Sequence, residues 1–314
     1  MYNGVINVYK ERGFTSFDVV AKLRGILKQK KIGHTGTLDP EAEGVLVVCL
    51  GKATKLCDIL TDKDKSYEAT LLLGKTTDTE DSTGKVLSES EVNVSEEQIR
   101  EVMMSYVGEY DQIPPMYSAI KVNGRKLYEL AREGIEIERQ PRKVVIHEIR
   151  ILSIQLPRVT FQVSCSKGTY IRSLCRDIGS RLGCGGIMDS LVRNSVNATE
   201  TGMVFTKEES LTLGVIEDLV KRNQLEQYIL SIDSMFPKMT KIRTTEEGNK
   251  KLYNGNLLKP EDFISDLNVQ NLFKKEIELQ DGTECLVYDK DGHFTAIYRY
   301  HAGMHAWKAE KMFL

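Results

Sequence analysis

The sequence lacks long apolar runs and closely spaced cysteines. No stretch approaches the roughly 18 consecutive apolar residues that would indicate a membrane-spanning helix. The six cysteines, at positions 49, 57, 165, 175, 184 and 285, never form the C-x-x-C spacing that is typical of zinc sites. The first seven residues have neither a basic start nor a sustained apolar segment, which argues against a secretion signal. We therefore expect a cytoplasmic protein that binds no membrane and no metal.

The sequence also lacks an excess of charge of either sign. It has 43 lysines and arginines against 45 aspartates and glutamates, for a formal net charge of −2. This balance argues mildly against a nucleic-acid partner, because phosphate binding needs local positive charge. The distribution is less even, since residues 22–31 carry five basic side chains and no acid, and a second basic set lies within residues 121–143. Such clusters are more often solvated faces than binding sites, so both interpretations stay open.

The length and the order of the elements indicate a large domain followed by a small one. A chain of 314 residues exceeds what a single hydrophobic core usually organises. Strands and helices follow each other without a steady β-α-β repeat, which favours an α+β fold with a mixed, mainly antiparallel sheet and flanking helices. Beyond residues 236–237 the pattern changes to short strands and turns, so we predict domains at 1–236 and 240–314.

Periodicity and turn signals predict most of the individual elements. The predicted strands are residues 5–9, 44–51, 67–73, 146–154, 159–165, 285–288 and 294–298. The predicted helices are residues 16–31 with Ser16 as the cap, 95–103, 169–183 and 211–234. Residues 76–90 predict an exposed loop or hairpin, and the two prolines within residues 113–116 predict a surface segment.

The octapeptide Gly-His-Thr-Gly-Thr-Leu-Asp-Pro at residues 33–40 has no period of its own. One interpretation is a turn in which Asp39 caps a helix that begins at Pro40. Only three residues separate Pro40 from Gly44, however, which is too few for a helix of normal length. A carboxylate in a rigid, glycine-flanked loop between a basic helix and a buried strand is also well placed for chemistry. The residues alone leave the turn and the active site equally open.

Signatures of nucleotide-binding enzymes and serine hydrolases are incomplete. Residues 74–76 match the end of a phosphate-binding loop, but Ala69 stands where that loop requires a glycine. The spacing Ser-x-x-Lys begins at both Ser118 and Ser164, and two chance occurrences in one chain give it little weight. The sequence therefore supports neither class.

Six blocks of the sequence resemble, in the right order, the motifs of TruB-type pseudouridine synthases. These blocks are Lys10-x-x-Gly13-x-Thr15-Ser16, the octapeptide 33–40, Asp64-Lys65-x-Tyr67, the heptapeptide 113–119, Ser166-Lys-Gly-Thr-Tyr-Ile-Arg172 and Leu191-x-Arg193. The resemblance covers about residues 3–235, and chance agreement of all six blocks is negligible. Glu11 replaces a proline that is frequent in the first motif. For residues 240–314, the resemblance implies a small β-barrel-like RNA-binding domain of the PUA kind.

The resemblance implies an isomerase that converts uridine 55 in the T loop of tRNA to pseudouridine. The uridine is stacked inside the folded loop, so it must flip into a pocket, where Asp39 would act as the nucleophile. Whether this carboxylate attacks the sugar C1′ or the base C6, or drives elimination to a glycal, stays open. The reaction transfers no group from outside, so the resemblance implies no cofactor and no metal. We expect a monomer.

The resemblance also implies roles for residues around Asp39. Arg172 would pair with this aspartate and keep it ionised, the usual effect of an opposite charge. Tyr67 would stack on the target base and assist proton removal at C5, while Tyr170 and Leu191 would line the uridine pocket. Taken alone, each of these three residues would more simply be a packing residue.

The remaining implied roles concern the RNA. His34 would take the place of the extruded nucleotide in the T-loop stack. An insertion at about residues 115–145 would grip the T arm, which raises the weight of the second basic cluster. The candidate contacts to the RNA backbone are Lys28, Lys30, Lys31, Lys121, Arg125, Lys126 and Arg142.

Two alternatives come from other classes. The chain could be a non-catalytic tRNA-binding or tRNA-folding protein that has kept this scaffold, although Asp39, Tyr67 and Arg172 together argue against that. It could also be an RNA-guided synthase subunit, which the near-neutral charge leaves open. Pseudouridine formation by the purified protein, without guides or partners, separates these alternatives from the main hypothesis.

Overall fold

The structure, a computed structural model, describes residues 1–61, 64–198, 202–264 and 280–314. It contains a nine-stranded sheet with helices on its faces and a separate four-stranded sheet near the C-terminus. None of the helices in these ranges is both long and apolar enough to cross a membrane. The α+β fold that we predicted from the order of the elements is confirmed.

The strands are β1 (Gly4–Lys10), β2 (Ile32–His34), β3 (Glu43–Leu50), β4 (Asp64–Leu73), β5 (Lys75–Thr77), β6 (Val86–Glu89), β7 (Gly108–Gln112), β8 (Lys121–Val122), β9 (Arg125–Lys126), β10 (Arg142–Gln155), β11 (Arg158–Cys165), β12 (Gly186–Ala198), β13 (Met203–Thr206), β14 (Thr240–Arg243), β15 (Glu284–Tyr288), β16 (Phe294–His301) and β17 (Ala306–Met312). The helices are α1 (Ser16–Leu27), α2 (Cys57–Thr61), α3 (Glu96–Met104), α4 (Leu127–Arg132), α5 (Ile171–Arg181), α6 (Leu213–Lys221) and α7 (Glu246–Tyr253).

The large sheet has the strand order β1-β3-β12-β4-β11-β10-β7, with β2 beside β3 and β13 beside β12. Among its described pairs only β3 and β12 run parallel, where Glu43 faces Val192 and Gly44 faces Arg193. The backbone approach there is close: a Cβ on Gly44, whose φ is +104°, would lie 2.2 Å from the Arg193 carbonyl oxygen. Because only glycine fits this position, the start of β3 is fixed against the middle of the sheet.

Helices pack on the sheet and bury separate apolar clusters. α3 and α5 pack against one part of the sheet, with Ile99, Leu174 and Ile178 completely buried against Phe161 and its neighbours. α1 and α6 cover β1 and β3. The apolar positions of α1 recur at helical spacing, which explains why this stretch folds as a helix with one buried face.

The C-terminal sheet, in the order β14-β15-β16-β17, has its own cluster around Trp307 and Tyr298. A further cluster joins this sheet to the large one. Val47 on β3 and the apolar side chains around it pack with Leu286 on β15 and with Phe313. The side of β3 that carries Val47, called its outer side here, is thus covered in part by residues from the C-terminal sheet.

Two helix predictions need correction. α1 is capped by Thr15, whose hydroxyl accepts a hydrogen bond from the Asp18 amide at 3.0 Å, while Ser16 is buried in the first turn. The helix ends at Leu27, before the predicted residue 31, because Lys28 adopts a left-handed backbone with φ of +50°. The predicted helix 211–234 is also too long. It contains only α6, which is followed by the left-handed Asn223 and a 3₁₀ turn at Leu225–Tyr228.

The surface segment that we predicted at residues 113–116 is also wrong, because three of its four residues are buried. Met116 packs with Leu127 and Leu130 in a small apolar cluster. The Pro114 carbonyl accepts a hydrogen bond from Arg139 at 3.2 Å. The prolines do break the regular structure, but tertiary contacts cover the break.

Candidate active site

Residues 35–42 connect β2 to β3 through a turn at Pro40 and Glu41, without a helix, and are named the catalytic loop here for the role proposed below for Asp39. The first motif holds this loop through its backbone. The buried Lys10 ammonium donates to the carbonyls of Pro40, at 3.1 Å, and Ala42. The Gly13 amide donates to the Pro40 carbonyl at 2.9 Å. Burial lowers the pKa of Lys10 to about 8, and the nearby Asp39 opposes that shift.

Two further side chains fix the loop on either side of these contacts. The Ser16 hydroxyl accepts a hydrogen bond from the Leu38 amide at 2.9 Å, directly before Asp39. Arg193, only 1% exposed, donates to the carbonyls of Gly36 at 3.2 Å and, on β3, of Val45 at 2.7 Å. Since these partners come from several elements, the backbone that carries Asp39 is rigidly placed.

Asp39 and Arg172 form a two-point ion pair. Arg172 Nε lies 2.9 Å from Asp39 Oδ2, and Arg172 Nη2 donates to Asp39 Oδ1 at 3.2 Å. The guanidinium is 5% exposed and also donates to the carbonyls of Thr79 at 3.1 Å and Tyr117 at 2.9 Å, whereas the aspartate side chain is 36% exposed. Four acceptors therefore orient Arg172, and the carboxylate keeps an open side.

The pKa of Asp39 is raised above its ordinary value. Burial is the main cause, and the negative charge of Asp81 adds to it, while Arg172 and Lys10 oppose the rise. Pairing with Arg172 thus acts in the direction expected from the sequence, but burial outweighs it.

A cavity of about 220 Å³ opens beside Asp39. Its lining residues are Asp39, Pro40, Glu41, Asp81, Ser82, Thr83, Met188, Asp189, Ser190 and Leu191. The segment 76–90 does form a hairpin, but it is not wholly exposed as predicted, since residues 81–83 line this cavity and Thr77 and Glu80 are buried. The volume is below the roughly 300–1,000 Å³ of pockets for drug-sized ligands, which suits a group as small as one base.

The other residues that the resemblance assigns to the site lie around this cavity. Leu191 lines it. Tyr67, 8% exposed, is not among the lining residues but packs in the same apolar cluster as Leu38 and Leu191. Burial raises the pKa of Tyr67 to about 12, against the opposing charge of Arg193. Tyr67 is therefore a neutral phenol at neutral pH.

Tyr170 and His34 lie near the site but not among the residues that line the cavity. Tyr170 begins α5, where its amide donates to Gln112 Oε1 at 2.8 Å and its carbonyl accepts from Gln112 Nε2 at 3.0 Å. His34 ends β2, and burial lowers its pKa, so the ring is neutral. Its buried Nδ1 has no hydrogen-bond partner within the part of the chain that the structure describes.

The predicted RNA-contacting residues fall into two groups. Lys28, Lys30 and Lys31 are exposed just beyond the end of α1. Lys121, Arg125 and Lys126 lie on the β8–β9 hairpin, whose turn residues 123 and 124 both have positive φ, and Arg142 begins β10. Within the ranges that the structure describes, no backbone carbonyl accepts a hydrogen bond from the basic side chains of either group, unlike those of the site residues.

One group among the described residues has the spacing of metal ligands: Asp289, Asp291 and His293, with ligand atoms within 4.8 Å of one another. The Asp289 carboxylate already accepts hydrogen bonds from the amides of Asp291 and His293 and from the Tyr253 hydroxyl. These contacts make it the polar anchor of the β15–β16 turn.

Sequence reasoning did not identify several residues of the site. Asp81 and Asp189 line the cavity, and Lys10 and Arg193 hold the catalytic loop. Lys10 and Arg193 do belong to the family motifs described above, and this membership could have indicated that they are part of the site. Asp81 and Asp189 belong to no such motif.

The chain is similar to known proteins in both its fold and its sequence. The structure is similar to the solved Cbf5–Nop10–Gar1 complex, with a TM-score of 0.67, 27% identity, and coverage of 99% of this chain and 85% of that chain. It is also similar to an H/ACA RNP bound to a substrate RNA, with a TM-score of 0.66, 25% identity, and coverage of 99% and 85%. Residues 24–171 match the model of the TruB family pseudouridylate synthase N-terminal domain. Residues 172–237 match that of the tRNA pseudouridylate synthase B C-terminal domain.

Curated relatives of high identity show which family the chain belongs to. The tRNA pseudouridine synthase B of Lachnoclostridium phytofermentans is 54% identical, over 99% of this chain and 100% of the relative. That of Clostridium kluyveri is 47% identical, over 88% and 92% of the two chains. That of Clostridium acetobutylicum is 50% identical, over 81% and 84%. The chain belongs to the TruB family of pseudouridylate synthases.

Proposed function

We propose that this protein isomerises uridine 55 in the T loop of tRNA to pseudouridine, with Asp39 as the nucleophile. Family membership makes it a pseudouridine synthase that acts on tRNA. The observation that carries the finer assignment is the Asp39–Arg172 pair at the edge of a base-sized cavity. The carboxylate has one side bound to the guanidinium and one side open, as a nucleophile needs.

The reaction balances without a further reactant. The bond from N1 of uracil to the sugar C1′ breaks, the bond from C5 to C1′ forms, the proton on C5 leaves, and N1 gains a proton. Asp39 must be ionised to act by any of the three routes, namely attack at C1′, attack at C6, or elimination to a glycal. Arg172 favours the ionised form, and the low-dielectric surroundings strengthen every charge interaction during the reaction.

Leu191, which lines the cavity, and Tyr67, which packs in the same apolar cluster, would form the apolar wall for the flipped base. Because Tyr67 is protonated at neutral pH, it first acts as a stacking surface. It can accept the C5 proton only if its hydroxyl group donates its own proton to another acceptor at the same time. Exclusion of water by this wall also protects the detached base.

Flipping the uridine out of its stack costs a few kcal/mol, and contacts to the rest of the RNA offset that cost. The neutral ring of His34, with its unsatisfied Nδ1, is suited to stack where the uridine leaves. The two exposed basic groups described above are suited to bind phosphates. We assign the catalytic domain to residues 1–236, with a T-arm-binding insertion at about 115–145, and a PUA-like RNA-binding domain to residues 240–314.

We further propose a stand-alone, monomeric enzyme of the cytoplasm. The solved Cbf5 relative is a complex with other proteins, but it is only 27% identical, against 47–54% for the tRNA pseudouridine synthase B relatives. The intact ion pair argues against a protein that only binds or folds tRNA.

Pseudouridine mapping tests this proposal directly. Purified protein is incubated with unmodified tRNA, without guide RNA or partner proteins, and every uridine is mapped. We expect pseudouridine at position 55 alone. Modification at another position would refute the T-loop assignment, and no modification without added guides would favour the RNA-guided alternative.

A further inference from the structure

Glu80 is a buried carboxylate to which the reaction described above gives no role. It is 7% exposed and lies in the turn between β5 and β6. Its Oε2 accepts a hydrogen bond from the Ser173 hydroxyl at 2.8 Å, and its Oε1 forms an ion pair with Arg176. Its backbone has φ of +63°, a conformation that residues other than glycine rarely adopt. Such a backbone persists only where the surroundings hold it.

The turn that Glu80 anchors reaches the active site on both sides. The Thr79 carbonyl accepts a hydrogen bond from Arg172 Nη1 at 3.1 Å. Asp81 lines the cavity, and its carboxylate accepts from the Thr83 amide at 3.0 Å. The Glu80 carbonyl also accepts from the Met188 amide at 3.1 Å, which ties the same turn to β12.

The partners of Glu80 lie on the helix that carries the active-site arginine. Ser173 and Arg176 follow Arg172 by one and four positions, within the first turns of α5. Arg176 also donates to the Ile113 carbonyl at 3.0 Å, just before the insertion, and Arg172 donates to the Tyr117 carbonyl at 2.9 Å inside it. The turn, the helix and the entrance to the insertion therefore meet at these two arginines.

We propose that Glu80 is a positioning residue, which holds the turn at residues 79–81 on α5 so that Arg172 meets Asp39 at the reactive angle. The proposal rests on the proposed function, because it assigns Glu80 a part in the same reaction. Without the Glu80 contacts, the Thr79 carbonyl would no longer be fixed beside Arg172 Nη1. The guanidinium would lose one of its four acceptors, and its contact with Asp39 would loosen.

Two substitutions separate positioning from a purely structural role. Glu80→Gln keeps the size of the side chain but removes its charge, and with it the ion pair to Arg176. Glu80→Gly removes the anchor but suits the left-handed backbone, so the fold itself should tolerate it. Glu109→Gln is the matched control, because it removes an exposed ion pair, with Lys143 at 3.0 Å, from the same domain.

The experiment measures single-turnover pseudouridine formation, tRNA affinity and thermal melting for the wild type and the three variants. We expect Glu80→Gln to slow the chemical step by about tenfold and Glu80→Gly by up to about a hundredfold, the scale of a small misplacement of reacting groups. The affinity for tRNA should stay within about twofold, as should the rate of Glu109→Gln. The acid limb of the rate profile should also move to higher pH in both Glu80 variants, because a loosened Arg172 opposes protonation of Asp39 less.

The results distinguish the two proposals. An active wild type together with folded Glu80 variants that match its rate and pH profile would overturn the role of Glu80 alone. A wild type that forms no pseudouridine would overturn the proposed function and this inference with it. Should Glu80→Gly fail to fold, Glu80→Gln decides the question by itself.

Discussion

The basic side chains that surround the catalytic loop and those of the exposed basic groups are held in opposite ways. Lys10, Arg172 and Arg193 are at most 5% exposed, and each donates to several backbone carbonyls. By contrast, Lys30 and Lys31 are exposed, and on the hairpin Arg125 pairs with an exposed residue, Glu133. The first region is built for a fixed geometry, and the second for a surface that adapts to its partner.

This difference predicts which property of the protein changes when a charged side chain is removed from each region. In the cleft each charge is desolvated, so removing one leaves buried partners unsatisfied and changes the pKa of its neighbours. On the surface water and salt screen each charge, and many small contributions add to one affinity. Substitutions in the two regions should therefore affect different steps.

Replacement of Asp39, the proposed nucleophile, gives the largest expected effect. Asp39→Asn keeps the shape of the side chain but removes the negative charge that all three proposed routes require. We expect the rate of pseudouridine formation to fall by about 10⁴-fold or more, the scale seen when a nucleophile is lost. Binding of unmodified tRNA, measured by filter retention, should stay within about tenfold because the basic groups are untouched. Substantial residual pseudouridine formation would contradict the role of Asp39, and a collapse of binding would contradict the division between the two regions.

The pH dependence of the chemical step gives an intermediate effect. As pH falls, Asp39 gains a proton, and since its pKa is raised, the rate should decline at higher pH than an ordinary carboxyl would cause. As pH rises through about 8, Lys10 loses the charge that supports Asp39 and the loop, so the rate should also decline on the alkaline side. That loss should reach about tenfold one pH unit above the pKa.

Lys10→Arg tests the alkaline limb, because a guanidinium keeps its charge at all pH values used. The limb near pH 8 should disappear in this variant, whatever its absolute rate. Lys75→Arg, on an exposed pair with Glu89, is the control and should keep the limb. Identical alkaline limbs in Lys10→Arg and the wild type would show that Lys10 does not set it.

Substitutions in the first exposed basic group give the smallest effect, and they change the affinity for tRNA and not the rate of the chemical step. Reversing two of the three charges of the first group, with Lys30→Glu and Lys31→Glu, should weaken tRNA binding by about tenfold and lower the salt slope by about two. The rate at saturating tRNA should not change, since neither residue contacts the cleft. Lys221→Glu with Arg222→Glu, an adjacent basic pair at the end of α6, is the matched control. An unchanged salt slope would remove Lys30 and Lys31 from the RNA interface.

Local patterns in the sequence predicted local structure well. The glycine-bounded apolar run became β3, and the capping box of Ser95 and Gln98 opens α3 as expected. Family motifs, not periodicity, identified Asp39 and Arg172, which are 133 positions apart and meet only in the folded chain.

The missed features depend on contacts that leave no local signal. Glu80 and Arg176 are 96 positions apart, and neither sits in a pattern that announces a buried ion pair. Pro114 correctly signals a break in regular structure, but its burial is decided by tertiary contacts around the insertion, such as that with Arg139. Lys10 would normally be assigned to solvent, and only the carbonyls of the catalytic loop make its burial possible.

The apolar cluster shared by β3 and the C-terminal sheet can be completed only late in the synthesis of the chain. Val47 and its partner Leu286 are 239 positions apart. At about 5–20 residues per second, the outer side of β3 waits roughly 10–50 seconds on the ribosome for its cover. Until then the side of β3 in this cluster is covered only in part, by nearer neighbours such as Leu56 and Phe205, and the uncovered apolar surface is a target for chaperones. The core around β3 is therefore complete only after the C-terminal sheet has been made.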